Sequence, residues 1–158
     1  MRRSHRVLAA ILAFGLASPS ARAGTTTWTN PAGGLWTDPG NWSNGVPTTS
    51  DLAVLPGING DDGYDITISG SISTGVLQVG GNGANVRLIG IGSLTTFGGC
   101  YIGLTGGAVL SLRGPTMHVI GSTAAGGSGG SAYLEVRQGS TFTTGGLSLS
   151  GGSGGAGS

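Results

Sequence analysis

The chain contains no lysine. All seven basic residues among its 158 are arginine, and charged residues make up only 8%, against about a quarter in an average globular protein. Four of those arginines (2, 3, 6 and 22) lie at the very start. From Gly24 onward, three arginines (Arg87, Arg113, Arg137) stand against six carboxylates (Asp38, Asp51, Asp61, Asp62, Asp65, Glu135), a formal charge of −3. That balance excludes a basic footprint for nucleic acid. Cysteine is nearly absent too. Cys100 stands alone, so no internal disulfide framework can form; beside Tyr101 and Ile102 it is expected in a strand, as a buried and inert thiol. Beyond residue 23 there is no stretch with apolar residues at helical spacing.

Long apolar runs are scarce. One of eleven residues, Val7 to Ala17, follows Arg2, Arg3 and Arg6 and is broken by Ser18-Pro19-Ser20. It falls short of the roughly 20 residues a membrane span needs. Ala21-Arg22-Ala23 then supplies a small-x-small cleavage pattern. Residues 1–23 therefore read as a signal peptide cut after Ala23, and ordinary secretion is preferred over the twin-arginine route that Arg2-Arg3 suggest. The expected location is outside the cell or on a bacterial cell surface or outer membrane.

What is abundant is glycine, 35 residues, set between pairs of β-branched residues and leucines. That pattern predicts many short strands joined by tight turns. From residue 84 a beat of 24 is clear: Val86, Leu110 and Leu134 are so spaced, and so are Leu88, Leu112 and Val136. A fixed period of this length signals a repeat architecture. Each unit has room for two or three strands, about one coil of a parallel β-helix in which each coil buries the apolar face of the next. The expected fold is all-β, a right-handed parallel β-helix with coils of about 24 residues. In that register Arg113 aligns with Arg137 and Ser111 with Glu135, all pointing away from the inward Leu110, Leu112, Leu134 and Val136. A leucine-rich horseshoe has a similar period but wants an L-x-x-L-x-L-x-x-N ladder, whereas this chain reads LSLRG and LEVRQ.

Residues 24–58 form a distinct block. It holds all three tryptophans, Trp28, Trp36 and Trp42, with Pro-Gly, Asn-Gly and Asn-Pro turns. Strands are expected at Thr25 to Thr29 and Leu52 to Leu55, and the block as a whole is read as a Trp-rich N-terminal cap. Residues 59–158 are read as the β-helical region, with alternating strands in DITISGSIS and GVLQVGGNG. The string GSGG precedes a strand at 127–130 and recurs at 152–155, so the chain is expected to continue into further coils, with self-association through an open edge as the alternative.

Candidate chemistry is sparse. Asp61, Asp62 and Asp65 crowd one loop, and calcium favours such oxygen-rich sites, but these are also ordinary turn residues. Gly80 to Arg87 partly matches a calcium-binding nonapeptide, with Asn85 in place of the aspartate. The tryptophans could stack on sugars or simply close the solenoid. His118 has no second histidine, cysteine or carboxylate near it in sequence and is expected to point outward from a strand. Asn41-Trp42-Ser43 is formally a glycosylation sequon. From residue 84 on, the stacked ionisable pair is Arg113 with Arg137, Glu135 lying diagonal to them, and no two carboxylates stack.

The block around Trp28, Trp36, Asn41-Trp42, Gly45, Pro47 and Asp51 resembles the start of bacterial extracellular proteins with autotransporter-associated β-strand repeats. The V-x-L-x-G-like coils that follow are similar to the β-helical passengers of the same families. The resemblance implies a surface-exposed β-helix carried by a membrane barrel or anchor further along the chain, and it implies no catalytic residue or cofactor. The expected function is a non-catalytic exported surface protein, part of an adhesin or passenger, with surface polysaccharide or another cell's surface as partner. The alternatives are a β-helical polysaccharide-degrading enzyme, which needs an acid/base pair on one face, and a carbohydrate-binding module built on the tryptophans.

Overall fold

The computed structural model describes residues 23–58, 62–81, 83–104, 106–127, 131–137 and 139–149. Residues 1–22 of the expected signal peptide (1–23), Asp61 and the final GSGG lie outside the described residues. Thirteen strands are present among those described: β1 (Thr25–Thr27), β2 (Gly34–Leu35), β3 (Leu52–Leu55), β4 (Tyr64–Ile68), β5 (Ser71–Thr74), β6 (Val76–Val79), β7 (Ala84–Gly90), β8 (Ser93–Thr96), β9 (Cys100–Ile102), β10 (Ala108–Arg113), β11 (Thr116–Ala125), β12 (Ala132–Arg137) and β13 (Thr141–Leu149). A 3-10 turn, Pro39–Asn41, lies between β2 and β3.

Parallel strands stack about 24 residues apart into a β-solenoid of about five turns. Three ladders run along it. The first comprises β1, β3, β6, β9 and the C-terminal half of β11. The second comprises β2, β4, β7, β10 and β12. The third comprises β5, β8 and the N-terminal half of β11. β13 lies beside both halves of β11, with a register shift between Val119 and Ser122 where the strand passes from one ladder to the other.

The 24-residue beat is the stacking register itself: Val86, Leu110 and Leu134 are neighbours on adjacent strands, as are Leu88, Leu112 and Val136. Strict alternation of apolar and polar residues drives each strand to bury one side; β4 and β7 alternate buried and half-buried positions along their length. The inward rows form one continuous core that includes Leu55, Ile66, Leu77, Leu88, Ile102, Leu110 and Leu112, all fully buried. Each such side chain contributes about 1.5–3 kcal/mol through burial.

Glycine makes the corners. At the corner that ends the second ladder, Gly90 and Gly114 stack coil on coil with φ of +108° and +105°. A Cβ on Gly114 would lie 2.2 Å from the carbonyl oxygen of Gly90, and one on Gly90 would lie 2.4 Å from that of Ile68. The backbone approach and the left-handed φ together demand glycine. The high glycine content is thus the signature of repeated tight corners.

The ladders reach back into residues 24–58, since β1 and β2 already pair with β3 and β4. The first coil therefore contains all three tryptophans.

Candidate functional site

The tryptophans are interior. Trp28 and Trp36 are fully buried and Trp42 nearly so. Trp42 meets Trp28 edge-on at 5.1 Å and Trp36 edge-on at 4.8 Å, while Trp28 stacks parallel to Tyr64 at 6.2 Å. The Trp28 indole N–H donates to the Asn30 carbonyl at 2.6 Å and the Trp42 indole N–H to the Trp36 carbonyl at 2.8 Å. Rings packed in this way offer no open face on which a sugar could stack. Burial beside them pushes the Tyr64 hydroxyl far above its ordinary pKa. Asn41 is buried as well; its side-chain amide donates to the Leu35 carbonyl and accepts from Asn30, so the sequon amide is engaged within the fold. Asp38 caps the short turn that carries it, accepting from the Gly40 N–H at 2.9 Å.

Cys100 is fully buried between Leu77 and Thr123 in the first ladder. Burial pushes its thiol up to about 12, which leaves no thiolate for chemistry at neutral pH. His118 is exposed on the third ladder, its Nδ1 hydrogen-bonded to the Thr143 hydroxyl. Its outward neighbours in register are Thr95 and Thr143, so no acid or metal ligand joins it there.

Asp65, Glu135 and the three arginines beyond residue 23 gather on the outward side of the second ladder. Asp65, Arg87, Ser111 and Glu135 form one row across four strands. Asp65 and Arg87 are an ion pair through the Arg87 Nε, and an Arg87 Nη donates to the Asp62 carbonyl at 3.2 Å. The Ser111 hydroxyl donates to Glu135 at 2.9 Å, and Arg137 pairs with Glu135 at 3.1 Å. The adjacent row holds Ile89, Arg113 and Arg137.

Two features of this face are not visible in the residue order. The Asp65–Arg87 pair was hidden by a coil 22 residues long, two short of the repeat, and a register search at 24 passes over it. Ser111 points outward in the pleat but is only 2% exposed, sitting between the longer Arg87 and Glu135. Asp65 is turned to a guanidinium, which competes with any cation in the acidic loop, and among the described residues no group of three His, Cys, Asp or Glu side chains clusters as metal ligands. Asp61 and Asn82, which belong to the two calcium readings, lie outside the described residues. Asp65 and Glu135 stand three strand spacings apart, about 14 Å, beyond the roughly 6.5–9.5 Å that separates the two carboxyls of an inverting glycosidase.

Compared with protein-family models, curated proteins and solved structures, the chain matches none.

Proposed function

We propose that the protein is an exported, non-catalytic surface protein whose β-solenoid serves as the stalk or passenger of an adhesin. The observation that supports this reading best is the unbroken stack of coils. Outward side chains align in rows along the axis, so each side of the solenoid offers a long, repetitive surface of the kind solenoids use for extended contacts. The leader-like first 23 residues, the low charge and the autotransporter-like tryptophan block point the same way. The partner would be a surface polysaccharide or another cell's surface, and no cofactor is needed for such a role.

The test is expression of the whole gene in a bacterial host, followed by fractionation, N-terminal sequencing and protease shaving of intact cells. A product beginning at Gly24 and removed by shaving supports the proposal. A cytoplasmic product that keeps residues 1–23 would sink it.

A further inference from the structure

We propose that the outward face of the second ladder binds an acidic polysaccharide, with Arg113 and Arg137 holding its carboxylate or sulfate groups. The proposal names a ligand for the surface-protein reading and rests on that reading only for where the ligand is met.

The argument begins with an imbalance. Arg113 and Arg137 occupy the same register position on neighbouring strands. Like charges directly opposite in a sheet repel, so such a pair calls for a counter-charge. Arg137 has one, Glu135. Arg113 has no acidic partner among the described residues, and its Nε is buried without a hydrogen-bond partner. A buried donor left unmet is costly. An oxoanion seated between the outer nitrogens of the two guanidiniums supplies the counter-charge that Arg113 lacks, because the planar fork of arginine matches carboxylate and sulfate geometry.

The surroundings favour a sugar chain as the carrier of that anion. The strand spacing of about 4.8 Å separates the two arginines by roughly the length of one pyranose unit. At the other end of β12, Tyr133 is 58% exposed and borders a shallow groove with Asn85, Val109 and Ser131. It lies about 13 Å along the strand from Arg137, a span of two or three sugars. An exposed aromatic ring with polar neighbours at one end and cations at the other suits a chain that presents both apolar ring faces and acidic groups. Three arginines against Asp65 and Glu135 leave this ladder one net positive charge, which steers anions toward it. All three arginines beyond residue 23 lie on this ladder, although that part of the chain carries a net negative charge. Two arginines with a nearby carboxylate are too few for a nucleic acid, whose every phosphate asks for neutralisation.

The experiment is affinity electrophoresis of the purified chain in native gels containing polygalacturonate, dextran sulfate, neutral dextran or single-stranded DNA, each at low and at physiological salt. Retardation by polygalacturonate or dextran sulfate, weakened by salt and absent with neutral dextran, is expected; which of the two retards identifies the anionic group. Arg113→Gln and Arg137→Gln should each weaken binding about tenfold, the scale of one charged hydrogen bond. Arg113→Lys, which keeps the charge but loses the fork, should fall between. Thr116→Ala, on the third ladder, should change nothing, and circular dichroism checks that every variant is folded. Equal retardation by neutral dextran or by single-stranded DNA, or folded Gln variants that bind like the parent, would overturn the proposal. Failure to bind either acidic chain by a protein that is still exported and surface-exposed removes the ligand and leaves the surface reading standing.

Discussion

The two ends of the solenoid treat the same kind of position in opposite ways. In the first coil, inward residues are sealed by Trp28, Trp36 and Trp42, all buried. At the last described coil, Val136 is 43% exposed, Leu147 56% and Leu149 65%. Yet Val136 sits in register with Leu112, and Leu149 with Ala125, which are 0% and 5% exposed. Sequence pattern decides which way a side chain points; burial is supplied by the next coil. A residue in a solenoid is interior only when both of its neighbours along the axis are present.

The largest effect that sharpens this comparison comes from paired charge insertions. Leu112→Asp places a carboxylate in a fully apolar stack and should cost more than about 4 kcal/mol, a large share of a domain's usual stability. Val136→Asp, at the same register position one coil later, should cost less than about 1 kcal/mol. Thermal melts followed by circular dichroism would compare them, and equal losses would break the account of burial by neighbours. Next in size is Trp42→Ala. This ring touches both other indoles, so its removal should cost about 3–5 kcal/mol. Leu147→Ala in the last described coil, where the side chain is 56% exposed, should be nearly silent in the same thermal melts.

The corners give an intermediate contrast. Gly114→Ala must either clash with the Gly90 carbonyl or shift the coil, and about 2–3 kcal/mol of destabilisation is expected. Gly139→Ala also has a positive φ, +75°, but opens onto empty space, so only the backbone term of about 1 kcal/mol remains. If the two substitutions cost the same, coil-on-coil contact at the corner is not what selects glycine.

Much of this was legible from residue order alone. Val86, Leu110 and Leu134 announce their stacking because three successive coils keep the same length and apolar residues return to the same place. Cys100 and its strand were readable from their apolar neighbours. The legible part ends where coil length drifts. β4 meets β7 at an offset of 22, so the Asp65–Arg87 pair disappears from a search at 24. The burial of Ser111 was hidden for another reason. Alternation predicts which way a side chain points, but whether longer neighbours cover it depends on Arg87 and Glu135, one coil away on either side. The tryptophans left two readings open because spacing cannot tell a ring that faces solvent from one folded inward; the packing of Trp42 against Trp28 and Trp36 decides between them.

Smaller effects belong to the exposed charges. Arg87 and Asp65 keep side-chain exposures of 25% and 46%, so Asp65→Asn should cost no more than about 1 kcal/mol. Double-mutant cycles with Arg87→Gln would isolate the pair, and a coupling several times larger would show that the face is less solvated than it looks.

The smallest effect lies back at the N-terminal end. Asp51 accepts from the Thr48 hydroxyl at 2.6 Å, from the Thr48 N–H at 2.8 Å and from the Gly24 N–H at 2.9 Å. The Thr48 hydroxyl, then the two backbone donors, hold its carboxyl below the ordinary aspartate value. A carboxyl lowered on folding stabilises the protein above its unfolded pKa, and that contribution is lost as pH falls through the folded value. The loss should therefore appear below about pH 4. Because the group is largely exposed, it should amount to about 0.5 kcal/mol. In a chain cut after Ala23 the Gly24 nitrogen becomes a charged amine facing the same carboxylate. That ion pair adds stability while the amine is protonated and loses it as pH rises past about 8. Urea titrations from pH 2 to pH 9 should then show two shallow steps for the chain beginning at Gly24, the acid step alone for the uncut chain, and neither for Asp51→Asn. A high-pH step that survives in Asp51→Asn would place the amine's partner elsewhere.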